Sequence, residues 1–300
     1  MKRILSLLLT LSLLLTFSAF AEGNPALEEG YTEEKEGYTA QVRWCKNGEK
    51  NIYGRFFYPA GFDADKAYPV VIMSHGLGSS ANLLELGGWA GAVTSQGYVG
   101  YAFDFCGGSP NSRSDGDYMQ MSVRTEQSDL SAVMDFVKEQ PFVDVDHLFL
   151  LGQSQGGFVT AITAAARPEE VKAMVLLYPA LCLVDDLHAA LPSLEELTGD
   201  TFESARGPLG AIFARDGYDI DVMDEISRYS GDVMVIHGVN DIIVPYSYAV
   251  EAVTKAYSGA NSELVLLTGK KAVHSFEMAF EEGRAYAEAQ TMAFLNAHLE

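Results

Sequence analysis

Apolar runs without polar interruption recur along the chain, at residues 69–73, 99–103, 148–151, 173–177, 233–236 and 264–267. Continuous runs of this kind indicate strands that are covered on both faces, as in a parallel sheet. Helical patterns alternate with them, at residues 83–95, 123–139, 158–166, 247–257 and 277–298. Because such crossovers are right-handed, repeated strand and helix units predict an open, doubly wound α/β sheet.

The segment before the first apolar run has a different pattern. Residues 39–45 and 51–58 alternate in strand fashion around Lys46-Asn47-Gly48, which predicts an antiparallel hairpin. Together with the six runs, the hairpin gives a mostly parallel sheet of eight strands. Residues 22–37 are polar and acidic, and we expect them to form a flexible lead-in to one domain over residues 38–300.

One connection is much longer than the others. After the sixth predicted strand, about fifty residues pass without a sheet-type run before the seventh strand begins. A connection of this length in a compact domain is usually a lid or an inserted cap. We therefore expect a small cap over about residues 184–231, with a plain surface excursion as the alternative.

The first residues have the pattern of a secretory signal peptide. Lys2 and Arg3 precede an apolar segment, and Ala19-Phe20-Ala21 matches an A-x-A cleavage site. Residues 1–21 are therefore expected to be removed near Ala21, which predicts an exported protein without stable membrane insertion. An uncleaved membrane anchor is the alternative, although serines and threonines interrupt this short segment.

Composition limits the possible partners. The formal charge is −21, and loss of Lys2 and Arg3 with a segment that holds no acidic residue makes it −23. Such acidity argues against binding to nucleic acid or to an anionic membrane. Hydrophobic residues make up 48% of the sequence, so the chain left after removal of residues 1–21 can bury one large core. A single domain is therefore expected.

The cysteines are Cys45, Cys106 and Cys182, an odd number for an exported chain. At most one disulfide can form, and the spacing suits no metal site. Buried, unreactive thiols are the favoured interpretation, with a bridge between Cys106 and Cys182 as the alternative. We expect neither a metal nor an organic cofactor.

The motif with the clearest chemistry is Gly-Gln-Ser-Gln-Gly-Gly at residues 152–157, between an apolar run and a helical pattern. A serine at such a turn has a strained backbone and an exposed hydroxyl, and glycines avoid collisions there. The pattern predicts that Ser154 is a nucleophile.

A serine nucleophile needs a base and an acid that orients the base. Asp241 follows the seventh predicted strand and His274 follows the eighth, so both reach the edge of the sheet where Ser154 stands. Asp185 and Asp186, after the sixth strand, are the alternative acids. The backbone N–H groups of Leu77 and Gln155 are the predicted oxyanion hole.

These residues resemble the serine α/β-hydrolase superfamily across essentially the whole mature chain. His75-Gly76-Leu77-Gly78, Phe103-Asp104-Phe105, the motif at 152–157 and the cap length are similar to the bacterial cinnamoyl or feruloyl esterase group. The resemblance implies hydrolysis of hydroxycinnamic acid esters, with a cap that contacts the phenolic end of the acyl group. It implies substrate-binding roles for Asp186, or its neighbour Asp185, and for Phe213, with Tyr218 close by.

The predicted function is therefore that of a secreted serine esterase acting on a small-molecule ester. A serine aminopeptidase or other peptidase on the same fold is the second hypothesis, and a catalytically inactive binding protein is the third. The sequence leaves the oligomeric state open.

Overall fold

The computed structural model describes residues 24–257 and 262–299. Thirteen strands lie in this part of the chain: β1 (Thr32–Lys35), β2 (Tyr38–Val42), β3 (Cys45–Asn47), β4 (Lys50–Ile52), β5 (Gly54–Pro59), β6 (Tyr68–Ser74), β7 (Val99–Phe103), β8 (Val143–Gln153), β9 (Ala173–Leu177), β10 (Thr201–Ser204), β11 (Gly207–Gly210), β12 (Asp232–Gly238) and β13 (Glu263–Leu267).

Nine α-helices accompany these strands in the same ranges: α1 (Ala81–Leu86), α2 (Trp89–Ser95), α3 (Val123–Lys138), α4 (Ser154–Ala166), α5 (Leu183–Ala190), α6 (Ala211–Gly217), α7 (Val222–Ile226), α8 (Ser247–Glu251) and α9 (Glu281–Asn296). Short 3-10 segments lie at Pro25–Leu27, Tyr118–Gln120, Pro168–Glu170, Leu194–Glu196 and Phe276–Met278, and a π-helical turn lies at Ala252–Ala256.

Nine strands form the central sheet, in the order β1-β2-β5-β7-β6-β8-β9-β12-β13. From β7 to β13 every neighbouring pair is parallel, whereas β1, β2 and β5 pair antiparallel. Apolar residues of α3 and α4 pack in a core on one face, and those of α1, α2 and α9 pack in a core on the other. This confirms the doubly wound α/β sheet and explains why the central strands lack alternation.

The N-terminal region differs from the prediction in one respect. The two arms of the expected hairpin pair antiparallel as β2 and β5, with the small β3–β4 hairpin between them. However, β1 lies inside the predicted lead-in, so the sheet has nine strands rather than eight. Its sequence, Thr-Glu-Glu-Lys, is largely exposed at the sheet edge and therefore carries no apolar pattern.

The segment between β9 and β12, called the cap from here on, contains secondary structure that the sequence does not indicate. Between β9 and β12 the chain forms α5, the antiparallel hairpin β10–β11, α6 and α7. This segment shows no sheet-type run in the sequence, yet it holds the hairpin β10–β11. Strands of four residues that include glycine and proline are too short to show strand periodicity.

Other expectations concern the termini and the cysteines. The predicted signal peptide at residues 1–21 lies outside the described residues. Within residues 24–257 and 262–299, no helix is both long and apolar enough to cross a bilayer. Cys45, Cys106 and Cys182 are buried free thiols, so the alternative of a bridge between Cys106 and Cys182 is not realised.

Candidate active site

Ser154 begins α4 directly after β8, and its backbone has a φ of +52°. A left-handed φ is rare for a residue with a side chain, and it turns the hydroxyl away from both elements. Two glycines make the turn possible. A Cβ at Gly152 would lie 2.4 Å from Thr160 Oγ1, and one at Gly156 would lie 2.2 Å from the His75 carbonyl oxygen.

The structure brings together the three residues predicted from the loops of the sheet. His274 Nε2 lies 3.0 Å from Ser154 Oγ, and His274 Nδ1 lies 2.7 Å from Asp241 Oδ2. Because the Asp241 carboxylate can only accept, Nδ1 of His274 must carry the proton and donate to it. Nε2 of the neutral imidazole is then able to accept the serine proton. The alternative acids Asp185 and Asp186 have other hydrogen-bond partners.

The Asp241 carboxylate is surrounded by hydrogen-bond donors. Oδ1 accepts from the backbone N–H groups of Ile243 and Val244 at 2.8 and 2.9 Å, and His237 Nε2 lies 3.2 Å from Oδ2. Burial raises the pKa of Asp241, but hydrogen bonds from His237, His274 and Val244 outweigh burial and hold the pKa well below its usual range. The acid is therefore ionised and fixed in orientation at neutral pH.

The loop that carries Leu77 is held by a buried histidine. His75 Nδ1 donates to the Gly76 carbonyl oxygen at 2.8 Å, while Nε2 accepts from the Phe105 N–H at 3.1 Å. Burial lowers the pKa of His75, which agrees with the neutral form that these two partners require. Leu77 lines the same cavity as Ser154 and Gln155.

Gln155 occupies the first turn of α4, where backbone N–H groups have no partner within the helix. Its side chain is buried and donates to Glu126 Oε2 at 2.8 Å. Burial raises the pKa of Glu126 to about 8, which favours the protonated acid at neutral pH. The two predicted oxyanion-hole residues therefore both border Ser154, each supported by a buried polar partner behind it.

A further buried contact joins the nucleophile loop to the histidine loop. Gln153 Nε2 donates to Glu277 Oε1 at 2.7 Å, and the Tyr178 hydroxyl donates to the same oxygen. The Tyr178 ring centroid lies 4.5 Å from that of His274. Burial raises the pKa of Glu277. We call Gln153, Tyr178 and Glu277 the buried brace.

Backbone strain is concentrated around the buried brace. Among the described residues, the non-glycine residues with positive φ are Ser154, Tyr178 and Ser275, at 52°, 38° and 52°. Strained backbone of this kind clusters at functional sites, where the surroundings must hold it in place. Sequence reasoning missed the brace, since its one signal was the position of Glu277 three residues after His274.

Ser154 and His274 open into a cavity of about 340 Å3. Its wall comes from the body and the cap, and consists of Leu77, Gly78, Tyr118, Gln155, Ala180, Cys182, Leu183, Asp186, Leu187, Ser204, Ala205, Arg206, Leu209, Phe213, Ile243 and Val244. The volume lies within the roughly 300–1,000 Å3 of small-molecule sites. Most of the residues in its wall are apolar, so the cavity is mainly apolar, with few charged groups.

Helix α5 divides this cavity from a second one. Leu183, Asp186 and Leu187 line the cavity of Ser154, whereas Asp185 lines an open cleft of about 770 Å3 on the other side of the helix. The Tyr248 hydroxyl donates to Asp185 Oδ2 at 2.5 Å. Of the two aspartates left open by the sequence, Asp186 is the one at the active-site cavity.

The same distinction applies to the two aromatic residues considered for the cap. Phe213 is 3% exposed and lines the cavity of Ser154. Tyr218 lines the second cleft, and its hydroxyl donates to the Leu191 carbonyl oxygen at 2.9 Å. Of these two aromatic residues, Phe213 is therefore the one that can contact a ligand at Ser154.

Solved structures with the same fold include esterases. Est1E from Butyrivibrio proteoclasticus, solved with ferulic acid bound, has a TM-score of 0.72 and 22% identity, over 85% of this chain and 99% of that chain. An acetyl xylan esterase from Paenibacillus sp. R4 has a TM-score of 0.61 and 18% identity, over 90% of this chain and 88% of that chain.

A curated relative matches this chain over part of its length. A probable 1-acylglycerol-3-phosphate O-acyltransferase from Oryza sativa subsp. japonica is 27% identical over 159 residues, which make up 51% of this chain. The chain spans 36% of the length of that relative.

The sheet order and these structural matches define the α/β-hydrolase fold. A sequence profile of the prolyl oligopeptidase family matches residues 89–300. The chain belongs to that family.

Proposed function

We propose that the protein is an exported carboxylic ester hydrolase that works through an acyl-enzyme on Ser154. The observation that carries this proposal is the continuous hydrogen-bonded chain from Ser154 through His274 to Asp241, which opens into a mainly apolar cavity. The buried brace and the three residues with positive φ support the same interpretation, because they hold Ser154 and His274 in position.

In the proposed reaction, Ser154 Oγ attacks the ester carbonyl carbon while His274 Nε2 takes the serine proton. Asp241 holds the imidazole in the Nδ1–H tautomer and stabilises the imidazolium that forms. His274 then gives its proton to the departing alcohol oxygen. A water molecule, deprotonated by His274, attacks the acyl-enzyme and releases the acid.

Negative charge develops on the carbonyl oxygen during both attacks. We propose that the backbone N–H groups of Leu77 and Gln155 donate to this oxygen. Such donors are already in position before the charge develops on the oxygen. Removal of one donor typically costs about 2.7–4 kcal/mol of transition-state stabilisation. The N-terminal position of Gln155 in α4 adds the favourable end of the helix dipole.

We propose a hydroxycinnamoyl group as the acyl part of the substrate. Phe213 and the leucines of the cavity wall offer an apolar surface for an aromatic ring, while Asp186 offers an acceptor for a phenolic hydroxyl. The structural likeness to Est1E, which was solved with ferulic acid, is in keeping with this choice.

Family membership favours a peptidase as the second candidate. A peptidase uses the same nucleophile and base, so it differs in what the cavity recognises. An aminopeptidase must hold a free amine, and Asp186 is the one carboxylate on the cavity wall as described. Hydrolysis rates for aminoacyl amides and for methyl ferulate, measured side by side, distinguish the two candidates.

Export is proposed on the basis of residues 1–21 alone, with cleavage near Ala21. Expression of the full chain in a secreting host, followed by N-terminal sequencing of the protein outside the cell, tests this proposal. Retention of residues 1–21 on a membrane-bound product would favour the anchor instead.

The direct test of the proposed function is Ser154→Ala. We expect kcat for methyl ferulate to fall roughly a millionfold, as for triad knockouts in a serine protease, with an unchanged circular dichroism spectrum. Ser95→Ala, at an exposed serine of α2, is the control and should keep full activity. A fluorophosphonate probe should label Ser154. Absence of both labelling and turnover in the wild type would favour an inactive binding protein.

A further inference from the structure

The wall of the active-site cavity carries two side chains with a formal charge at neutral pH, Asp186 and Arg206. Asp186 accepts a hydrogen bond from the Cys182 thiol at 3.4 Å. No ion pair found in residues 24–257 and 262–299 joins it to Arg206. The cavity therefore presents an acidic and a basic group that do not neutralise each other.

Arg206 is unusual among the arginines of this acidic chain. Acidic residues outnumber lysine and arginine by 41 to 20. Of the nine arginines in the described ranges, seven form ion pairs with carboxylates, and only Arg206 and Arg215 do not. Arg206 is the one of these two that lines the cavity.

Local structure fixes the position of Arg206. It lies in the turn between β10 and β11, where its backbone N–H donates to Ser204 Oγ at 3.0 Å and Ser204 Oγ donates to the Gly207 carbonyl oxygen at 2.7 Å. Gly207 supplies the positive φ, +101°, that the turn requires. Arg206 Nη2 donates to the Ile243 carbonyl oxygen at 2.9 Å, which uses one of the five N–H groups of the guanidinium.

That contact indicates which end of an ester lies near Arg206. The Ile243 N–H donates to Asp241, and Asp241 in turn contacts His274. The departing alcohol oxygen must lie within hydrogen-bond reach of His274 Nε2 to receive its proton. An alcohol part that extends from His274 towards Ile243 would reach the side of the cavity where Arg206 is anchored, whereas Asp186 and Phe213 border the part assigned to the acyl group.

We propose that Arg206 selects esters whose alcohol part carries a carboxylate. A guanidinium matches the geometry of a carboxylate and can donate two parallel hydrogen bonds to it. Within the described residues, Arg206 forms no ion pair with a side-chain carboxylate, so its remaining N–H groups can donate to a ligand. The inference rests on the proposed function, because it assigns the alcohol end of the ester that Ser154 attacks.

Two matched esters test the selection: O-feruloyl glycolate, which carries a carboxylate on the alcohol part, and its neutral amide, O-feruloyl glycolamide. We expect Arg206→Gln to lower the ratio of kcat/KM for the acid to that for the amide roughly tenfold, as loss of a charge-assisted hydrogen bond predicts. Arg206→Lys should keep part of the ratio, because the charge remains. Arg215→Gln, which removes the other unpaired arginine, should leave the ratio unchanged.

Binding provides a readout that is independent of turnover. Feruloylglycine and feruloylglycinamide, the amide analogues of the two esters, are titrated calorimetrically against Ser154→Ala protein with and without Arg206→Gln. Tighter binding of feruloylglycine that depends on Arg206 supports the inference even if neither ester is hydrolysed. An unchanged acid-to-amide ratio in Arg206→Gln, or an equal loss for both ligands, overturns it. If the wild type hydrolyses neither ester, that result by itself contradicts the proposed function and not this inference.

Discussion

Tyr178 connects two functions within one side chain. Its ring lies against His274, and its hydroxyl donates to the Glu277 carboxylate. The same carboxylate accepts a hydrogen bond from Gln153 Nε2. Gln153 immediately precedes Ser154 and Glu277 lies three residues after His274, so this contact links the Ser154 turn to the His274 loop. Tyr178 therefore contacts both His274 and the carboxylate that joins these two loops.

Tyr178→Phe keeps the ring and removes the hydroxyl. We expect kcat to fall about tenfold with little change in KM, because a small displacement of a reacting group is costly in rate. Tyr229→Phe is the matched control, since Tyr229 is equally buried and its hydroxyl donates to the Val171 carbonyl oxygen at 2.9 Å away from the site. Both variants should lose about 1 kcal/mol of unfolding free energy. Equal kcat values in the two variants would exclude a positioning role for Tyr178.

Glu126 makes a prediction about pH. Burial raises its folded-state pKa to about 8, so the folded protein holds a proton that the unfolded chain releases above its ordinary pKa of 4.5. Stability from this group is present below pH 4.5 and is lost as the pH rises through 8. Relative to Glu126→Gln, the wild type should therefore lose unfolding free energy between pH 5 and pH 9, as measured by urea denaturation. A difference that does not vary with pH would contradict the raised pKa.

Residues with a motif were predictable and residues joined only through space were not. Ser154 stands in a recognisable turn, and Asp241 and His274 each follow an apolar run, so the sequence indicates all three. Gln153 ends β8, Tyr178 follows β9 and Glu277 lies in the 3-10 segment Phe276–Met278, and no local pattern shows that their side chains meet. A buried polar contact between distant segments depends on packing that a single sequence does not display.

At the scale of elements, α4 and the loop after β6 are in close contact. A Cβ at Gly156 would lie 2.2 Å from the His75 carbonyl oxygen and 2.7 Å from that of Ser74. Backbone atoms cannot move aside as a flexible side chain does. The distance between the serine turn and the Leu77 loop therefore depends on the absence of a side chain at this position.

Gly156→Ala should separate α4 from this loop. We expect kcat to fall at least a hundredfold and the unfolding free energy to drop by about 1–3 kcal/mol, the typical cost of overpacking. Gly91→Ala in α2 is the control, because nothing lies within 4 Å of its added Cβ. That substitution should stabilise the protein by roughly 0.5–1 kcal/mol, since alanine favours a helix. Thermal unfolding and methyl ferulate kinetics measure both effects, and normal activity of Gly156→Ala would refute the close contact.

Elements with a buried face were predictable, and elements at the surface were less so. All six continuous apolar runs are strands of the central sheet. The runs in β6, β7, β8, β9 and β12 are buried between two layers of helix, whereas β13 at the sheet edge is partly exposed. The exposed edge strand β1 and the short cap hairpin have no such pattern. The predicted helix over 83–95 is two helices, α1 and α2, since Gly88 with a φ of +91° interrupts it.

At the scale of the whole molecule, all three thiols are buried, Cys45 and Cys106 in the core and Cys182 in the wall of the Ser154 cavity. Burial raises the pKa of Cys45 and Cys182 to about 12 and raises that of Cys106 as well, so little thiolate is present at neutral pH. We expect no reaction with Ellman's reagent in the native protein and three equivalents after unfolding without reductant. Recovery of a single thiol would instead indicate a disulfide.

The position of α5 between two cavities has a consequence for how specificity can change. Adjacent residues on a helix point about 100° apart, so Asp185 and Asp186 belong to different ligand environments although they are neighbours in sequence. Substitutions at Leu183, Asp186 and Leu187 can therefore reshape the space next to Ser154 while the outer cleft stays intact. Substitutions on the opposite face can accumulate while the space next to Ser154 stays unchanged. A single eight-residue helix thus gives the cap two surfaces that can diverge separately.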